Sequence, residues 1–244
     1  MAFKMGLLGR KLGMTQVFHE DGTALGCTVL ALGPCVVTAQ RSTEKNGYSA
    51  VQLGFEAVPQ RLASKSALGY SKKVGIDQAP RVFKEVRLDA ADVGKFEVGK
   101  VLKASDVFKV GDVVDAVGVT KGKGYQGVIK RHKMAGFRAT HGTHEFFRHG
   151  GSIGCRLTPG RTHQGKRMTG HMGDRNYTAA DLVVVQVLED KDVVLVKGSV
   201  PGARNGLVLL KGSTKNVKKY VVPRPIKEVE SKNPMKASKK GAGK

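Results

Sequence analysis

The chain has 244 residues, 32 of them glycine, three cysteines and no tryptophan, and its 42 basic against 20 acidic residues give a formal net charge of +22. Such a field repels cationic partners and favours polyanions, and glycine stands well above its usual share of about 7%. Cys27, Cys35 and Cys155 make an odd count with no CxxC spacing, against both a disulfide framework and a thiolate zinc site, and no apolar run reaches the roughly eighteen residues of a membrane span.

In chain order, the amino end MAFKMGLLGRKLGM lacks a long apolar core and a cleavage site, so a cytoplasmic, reducing setting is expected. Cys27–Ala31 and Val36–Gln40 are short β-branched runs around the turn pair Gly33-Pro34. Val51–Phe55 follows a second turn pair, Asn46-Gly47. Residues 58–75 have a weakly helical composition, with Gly69 and Gly75 counting against it. Arg81–Leu88 alternates loosely, placing Val82, Val86 and Leu88 on one face. Val113–Thr120 is a further strand candidate. Leu182–Leu188 and Val193–Lys197 flank the polar turn Glu189–Asp192 and read as a hairpin, and Leu207–Lys211 closes the set. Short strands at fairly regular spacing predict a mainly β fold. We expect a small β-barrel domain from residues 1–118 and 176–211, with a minor helical, α/β insert near 56–100.

The charge is unevenly placed. Residues 1–118 hold 16 basic and 12 acidic residues, and residues 176–210 hold 3 and 4, so both are near neutral. Residues 119–175 hold 12 and 2, a net +10, and residues 211–244 hold 11 and 2, a net +9. A merely solvated face would spread its charge, whereas this pattern describes an ordinary domain bearing two polyanion-binding appendages. Residues 119–175 form a long irregular glycine-rich basic extension, with twelve glycines and six of the seven histidines. Its apolar residues keep no period that would build a core face, so a partner is needed to order it. Arg and Lys suit phosphates, and interleaved Phe, His and Arg planes suit unpaired bases, which together favour RNA. Folded back on itself, the segment reaches at most about 90 Å. The lysine-rich residues 212–244 read as a basic, disordered tail.

Competing signals are weaker. Gly122, Gly124 and Gly127 spell GxGxxG, yet no helix and second strand are expected after them, and Glu145 is the only acidic residue near the ribose position. His141 and His144 form HxxH upstream of Cys155 without a second tight ligand pair, so no metal and no cofactor are expected. A nucleic-acid-processing enzyme would need carboxylates in the segment, which offers only Glu145 and Asp174. An architectural DNA binder would need a helical reading element that the sequence does not show. The reading is therefore a binding protein, not an enzyme, with neither a membrane nor a small-molecule substrate as partner.

Four stretches carry a specific resemblance: GLLGRKLGMTQVF (Gly6–Phe18), VTKGKGYQGVIKR (Val119–Arg131), HGGSIGCRLTPGRTHQGKRMTGHMG (His149–Gly173) and LVKGSVPGARNGLVLL (Leu195–Leu210). The chain from residue 5 to about 211 resembles the universal large-subunit ribosomal protein number three family in its bacterial form. The resemblance implies a β-barrel with an arm reaching into large-subunit rRNA toward the peptidyl-transferase region, a role in early subunit assembly, and neighbouring ribosomal proteins as further partners. Lys121, Lys123, Lys130, Arg131, Arg148, Arg156, Arg161, Lys166 and Arg167 look like basic positions of that arm. Lys133, Arg138 and His144 complete the candidate RNA-binding set. Gly151–Gly154 and Thr158–Gly160 would shape the arm near its tip. Two positions depart from the family pattern: Leu157 stands where some members carry a modifiable glutamine, and His132 where tryptophan is common.

Overall fold

A computed structural model describes residues 5–18 and 22–215. It contains twelve strands: β1 (Gly6–Phe18), β2 (Ala24–Leu32), β3 (Cys35–Arg41), β4 (Ala50–Val58), β5 (Ala79–Arg87), β6 (Val101–Leu102), β7 (Val113–Val119), β8 (Tyr125–Gln126), β9 (Gly170–His171), β10 (Asn176–Leu188), β11 (Val193–Lys197) and β12 (Leu207–Gly212). The mainly β expectation holds.

Six strands pair in the order β1-β12-β7-β10-β11-β2, and β2 returns to β1, giving a closed barrel. Every pairing in the ring is antiparallel. Closure leaves no row of unpaired backbone groups along these strands. The alternation in β12, with Val208 and Leu210 buried between half-exposed neighbours, shows one face turned to the core. Leu7, Leu30, Val114, Val184, Val194 and Leu210 fill that interior.

A second sheet pairs in the order β5-β4-β3-β6 and shares the core through Val37, Val51, Leu53 and Val86. This corrects the sequence reading in one respect. β3 and β4, expected among the barrel strands, pair outside the barrel, so the insert begins at Cys35 rather than near residue 56. β2 and β3 are equally apolar runs, and local composition does not say which partner each will take. Gly33-Pro34 is thus the crossing between two sheets and not a hairpin turn. Its amide is still used, since Gly33 N–H donates to Leu8 O at 3.0 Å. Arg10 on β1 grips the Glu56 carboxylate on β4 with two nitrogens, one at 2.8 Å, and so ties barrel to second sheet.

The helical expectation over 58–75 resolves into a 3-10 turn, Gln60–Leu62, and a helix, Lys65–Val74. Ser64 Oγ accepts from Ala67 N–H at the start, and Gly75, left-handed, ends it. Tyr70 anchors this helix by packing edge-on against Phe83 and donating to Gln52 Oε1 at 2.9 Å.

The two ends of the barrel differ in what leaves them. β7 pairs β12 with Gly118 opposite Val208 and Val114 opposite Gly212. The 119–175 segment therefore departs at one end, and the chain beyond β12 at the other. Residues 212–215, expected to begin the tail, are held: Gly212 ends β12, Ser213 Oγ donates to Asp181 and Lys215 pairs with the same carboxylate at 2.7 Å. The rest of the expected tail lies outside the described residues.

Candidate nucleic-acid interface

β7 and β10 carry the ladder past the barrel. Asn176 stands opposite Val119, and beyond them Thr120 N–H donates to Arg175 O while Asp174 N–H donates to Thr120 O. Lys123 N–H reaches Met172 O at 2.8 Å, Met172 N–H reaches Gly124 O at 2.9 Å, and β8 then pairs with β9. Gly173 is required at this narrow point: its φ is +81°, and an added Cβ would lie 2.1 Å from Lys121 O. Tyr125 and Thr169 share a hydroxyl hydrogen bond of 2.6 Å across the same stem.

Above the stem, Gly127 opens a short helix, Val128–His132, which the sequence reading did not expect. The helix is five residues long and the flanking β8 pairs antiparallel with β9, so no parallel crossover surrounds the GxGxxG glycines. Arg131 donates to Met168 O at 2.7 Å, and the His132 ring nitrogen meets the same carbonyl at 3.0 Å. These contacts clasp the two limbs of the segment together. Val128 is buried beside Gly150, Ile129 and Phe147 lie close to Gly136, and Phe137 N–H donates to Phe147 O. The segment therefore holds one small apolar knot that its sequence did not announce.

Of the twelve candidate RNA-binding residues, Lys121, Lys123, Lys130, Lys133, Arg138, His144, Arg148, Arg156, Arg161, Lys166 and Arg167 are exposed, and Arg131 is half-buried in its clasp. None of the eleven exposed ones has a side-chain hydrogen bond or ion pair among the described residues, where the recorded ion pairs all lie outside residues 119–175. Beside them stand exposed apolar groups, Phe137, Phe146, Phe147, Ile153 and Leu157, the last at 89% exposure. The structure spreads the cations along the segment instead of gathering them at one point. His141, His144 and Cys155 do not come together, and the described residues hold no group of three or more potential metal ligands. Arg175 and Tyr177 also stand exposed at the stem, and the sequence reading did not single them out. The antiparallel pairing of Val119 with Asn176 would have placed them, but pairing partners are not visible in composition.

A family model described as Ribosomal protein L3 matches residues 85–193, a range that includes the whole basic segment. The large ribosomal subunit protein uL3 of Sorangium cellulosum is 44% identical over 211 residues, spanning 86% of this chain and 90% of that protein. The protein of the same name from Herpetosiphon aurantiacus is 45% identical over 214 residues, 88% of this chain and 99% of the relative. That from Pelobacter propionicus is 45% identical over 212 residues, 87% and 99% respectively. The chain belongs to the uL3 family. uL3 proteins carry the name of a ribosomal component and not of an enzyme, in keeping with the non-enzymatic reading of the sequence. No helix among the described residues is long and apolar enough to cross a membrane.

Proposed function

We propose that the chain is a structural constituent of the large ribosomal subunit in the cytoplasm. In this reading residues 119–175 are an arm that enters large-subunit rRNA toward the peptidyl-transferase region and supports early assembly of the particle, with neighbouring ribosomal proteins packed around the two sheets. One observation carries it: a run of exposed cations left without protein partners, interleaved with exposed rings, on a stem anchored in a closed barrel.

The mechanism is counterion release plus insertion. Each cation that meets a phosphate frees condensed counterions, and about ten such contacts make affinity fall steeply with salt. Arg guanidinium planes and the exposed Phe rings offer surfaces for unstacked bases. The Arg131 clasp and the Val128 knot keep the limbs paired, which lowers the ordering cost on binding. Residues 1–118 and 176–211 act as the folded mount.

The test is sedimentation of a cell lysate followed by a high-salt wash of the large-subunit fraction. The wild-type chain is expected to stay with that fraction. Replacing Arg161, Lys166 and Arg167 together with alanine is expected to lower large-subunit yield while the purified variant melts at the wild-type temperature. Normal subunit yield from that variant, or release of the wild-type chain at modest salt, defeats the reading.

A further inference from the structure

At the stem, Lys121, Lys123, Met172, Gly173, Arg175 and Tyr177 line a cavity of about 240 Å3. That is below the roughly 300–1,000 Å3 of sites for drug-sized ligands and suits one flat ring. Tyr177 is 53% exposed and stands opposite Gly118 in the ladder, with Pro201 lying against that glycine. A tyrosine opposite a strand glycine often packs over that glycine, but a ring fully spent on packing would not leave half its surface in water. The side chains of Lys121, Lys123 and Arg175 have no partner among the described residues. Asp174 adjoins them, exposed and in no ion pair. Lys11 lies close by and donates to Val200 O at 2.7 Å. Burial, and then the charge of Lys121, hold this lysine below its usual range, as expected where positive charge is not neutralised by the protein.

We propose that this cavity is a second RNA site, separate from the distal arm, which takes one unstacked nucleotide: its base against Tyr177 and its phosphate among Lys121, Lys123 and Arg175. The proposal rests on the RNA-binding reading above and adds a place and a ligand class to it. Three cations around one aromatic face give the charge-plus-stacking combination that single-stranded RNA requires, and the paired backbone of the stem fixes them before RNA arrives. Duplex RNA, with its bases stacked inside, would supply the phosphate but not the ring.

The chain has no tryptophan, so Tyr177→Trp in the full-length protein creates a single reporter at the site. Titration with a short oligouridylate is expected to quench its emission saturably. Adding Lys123→Gln and Arg175→Gln is expected to weaken that titration about tenfold, whereas replacing Arg161, Lys166 and Arg167 with alanine leaves the quench in place. Oligouridylate binding with unchanged emission, or equal quenching by inorganic polyphosphate, overturns the proposal. A second measurement covers misfolding of the reporter: Tyr177→Ala is expected to weaken binding of labelled oligouridylate about tenfold, within the range for one stacked base. A change below twofold also overturns it. Failure of the wider RNA reading looks different, because it appears as normal subunit yield from the distal triple variant whatever the stem does.

Discussion

The barrel and the basic segment join through two neighbouring strands, yet they satisfy their side chains in opposite ways. In the barrel, four successive residues of β11 are buried, Leu7 and Leu8 are sealed from water, and buried Asp115 accepts from Asp181 N–H at 3.1 Å. In the segment, Val128 is the one buried side chain, and the backbone carries most of the order through the stem ladder and a single arginine clasp. The first region is complete in itself. The second leaves its cations and rings in water. The difference shows that a well-packed barrel and a segment ordered mainly by its backbone can share one chain through two neighbouring strands.

Truncating a core residue in each region is the strongest way to break this contrast. Leu8→Ala is expected to cost about 2–5 kcal/mol in denaturant unfolding, as for other fully buried leucines. Val128→Ala is expected to leave that transition within about 0.5 kcal/mol, because the barrel does not lean on it, while speeding proteolysis inside residues 119–175. Equal losses from the two variants would mean that the segment belongs to the barrel's cooperative unit.

Thiol labelling sharpens the same contrast at smaller cost to the fold. Cys155 is exposed in the segment, whereas Cys27 and Cys35 are buried in the sheets. Burial pushes the Cys35 thiol up to about 11, so little thiolate forms there near neutrality. At pH 8 an alkylating reagent is expected to modify Cys155 more than a hundredfold faster than Cys35, as read by mass spectrometry of digested peptides. Comparable rates would show that the barrel opens readily.

The smallest effect concerns the link between barrel and second sheet. Hydrogen bonding from Arg10 holds the Glu56 carboxyl below its ordinary range, so the pair stabilises the fold above the unfolded-state value, near 4.3, and loses that contribution as pH falls through the lowered folded value. Glu56→Gln is expected to cost about 1 kcal/mol or less at pH 7, since both side chains are partly in water. The gap between variant and wild type should close as pH falls from the unfolded-state value through the lowered folded one in pH-dependent thermal unfolding. A gap that persists there would assign the cost to packing and not to charge.

Much of this was legible in the sequence, for identifiable reasons. Strands such as β7, β11 and β12 show in runs of Val and Leu between turn residues, and the basic segment shows in charge and glycine. β1 was not read as a strand, because Gly6, Gly9 and Gly13 break its pattern. In the fold an added Cβ at Gly9 would lie 2.2 Å from Ala31 O, so the residue that hides the strand is the one that lets β2 approach. The assignment of β3 and β4 to a separate sheet, the Arg131 clasp and the stem cavity all depend on partners far along the chain. Composition does not carry that information.

β12 leaves the ring at the end opposite the stem, and seven residues of β7 set the two exits about 20 Å apart. The segments rooted at those exits carry net charges of +10 and, over residues 211–244, +9. A near-neutral barrel thus stands between the roots of the two most basic segments of the chain. Under the proposed function, RNA engaged at one exit would meet the second basic segment only from the far side of the barrel, so avidity would rise only where phosphates stand on both sides. Under the proposed function, that spacing favours a folded RNA with two surfaces over an isolated strand or hairpin.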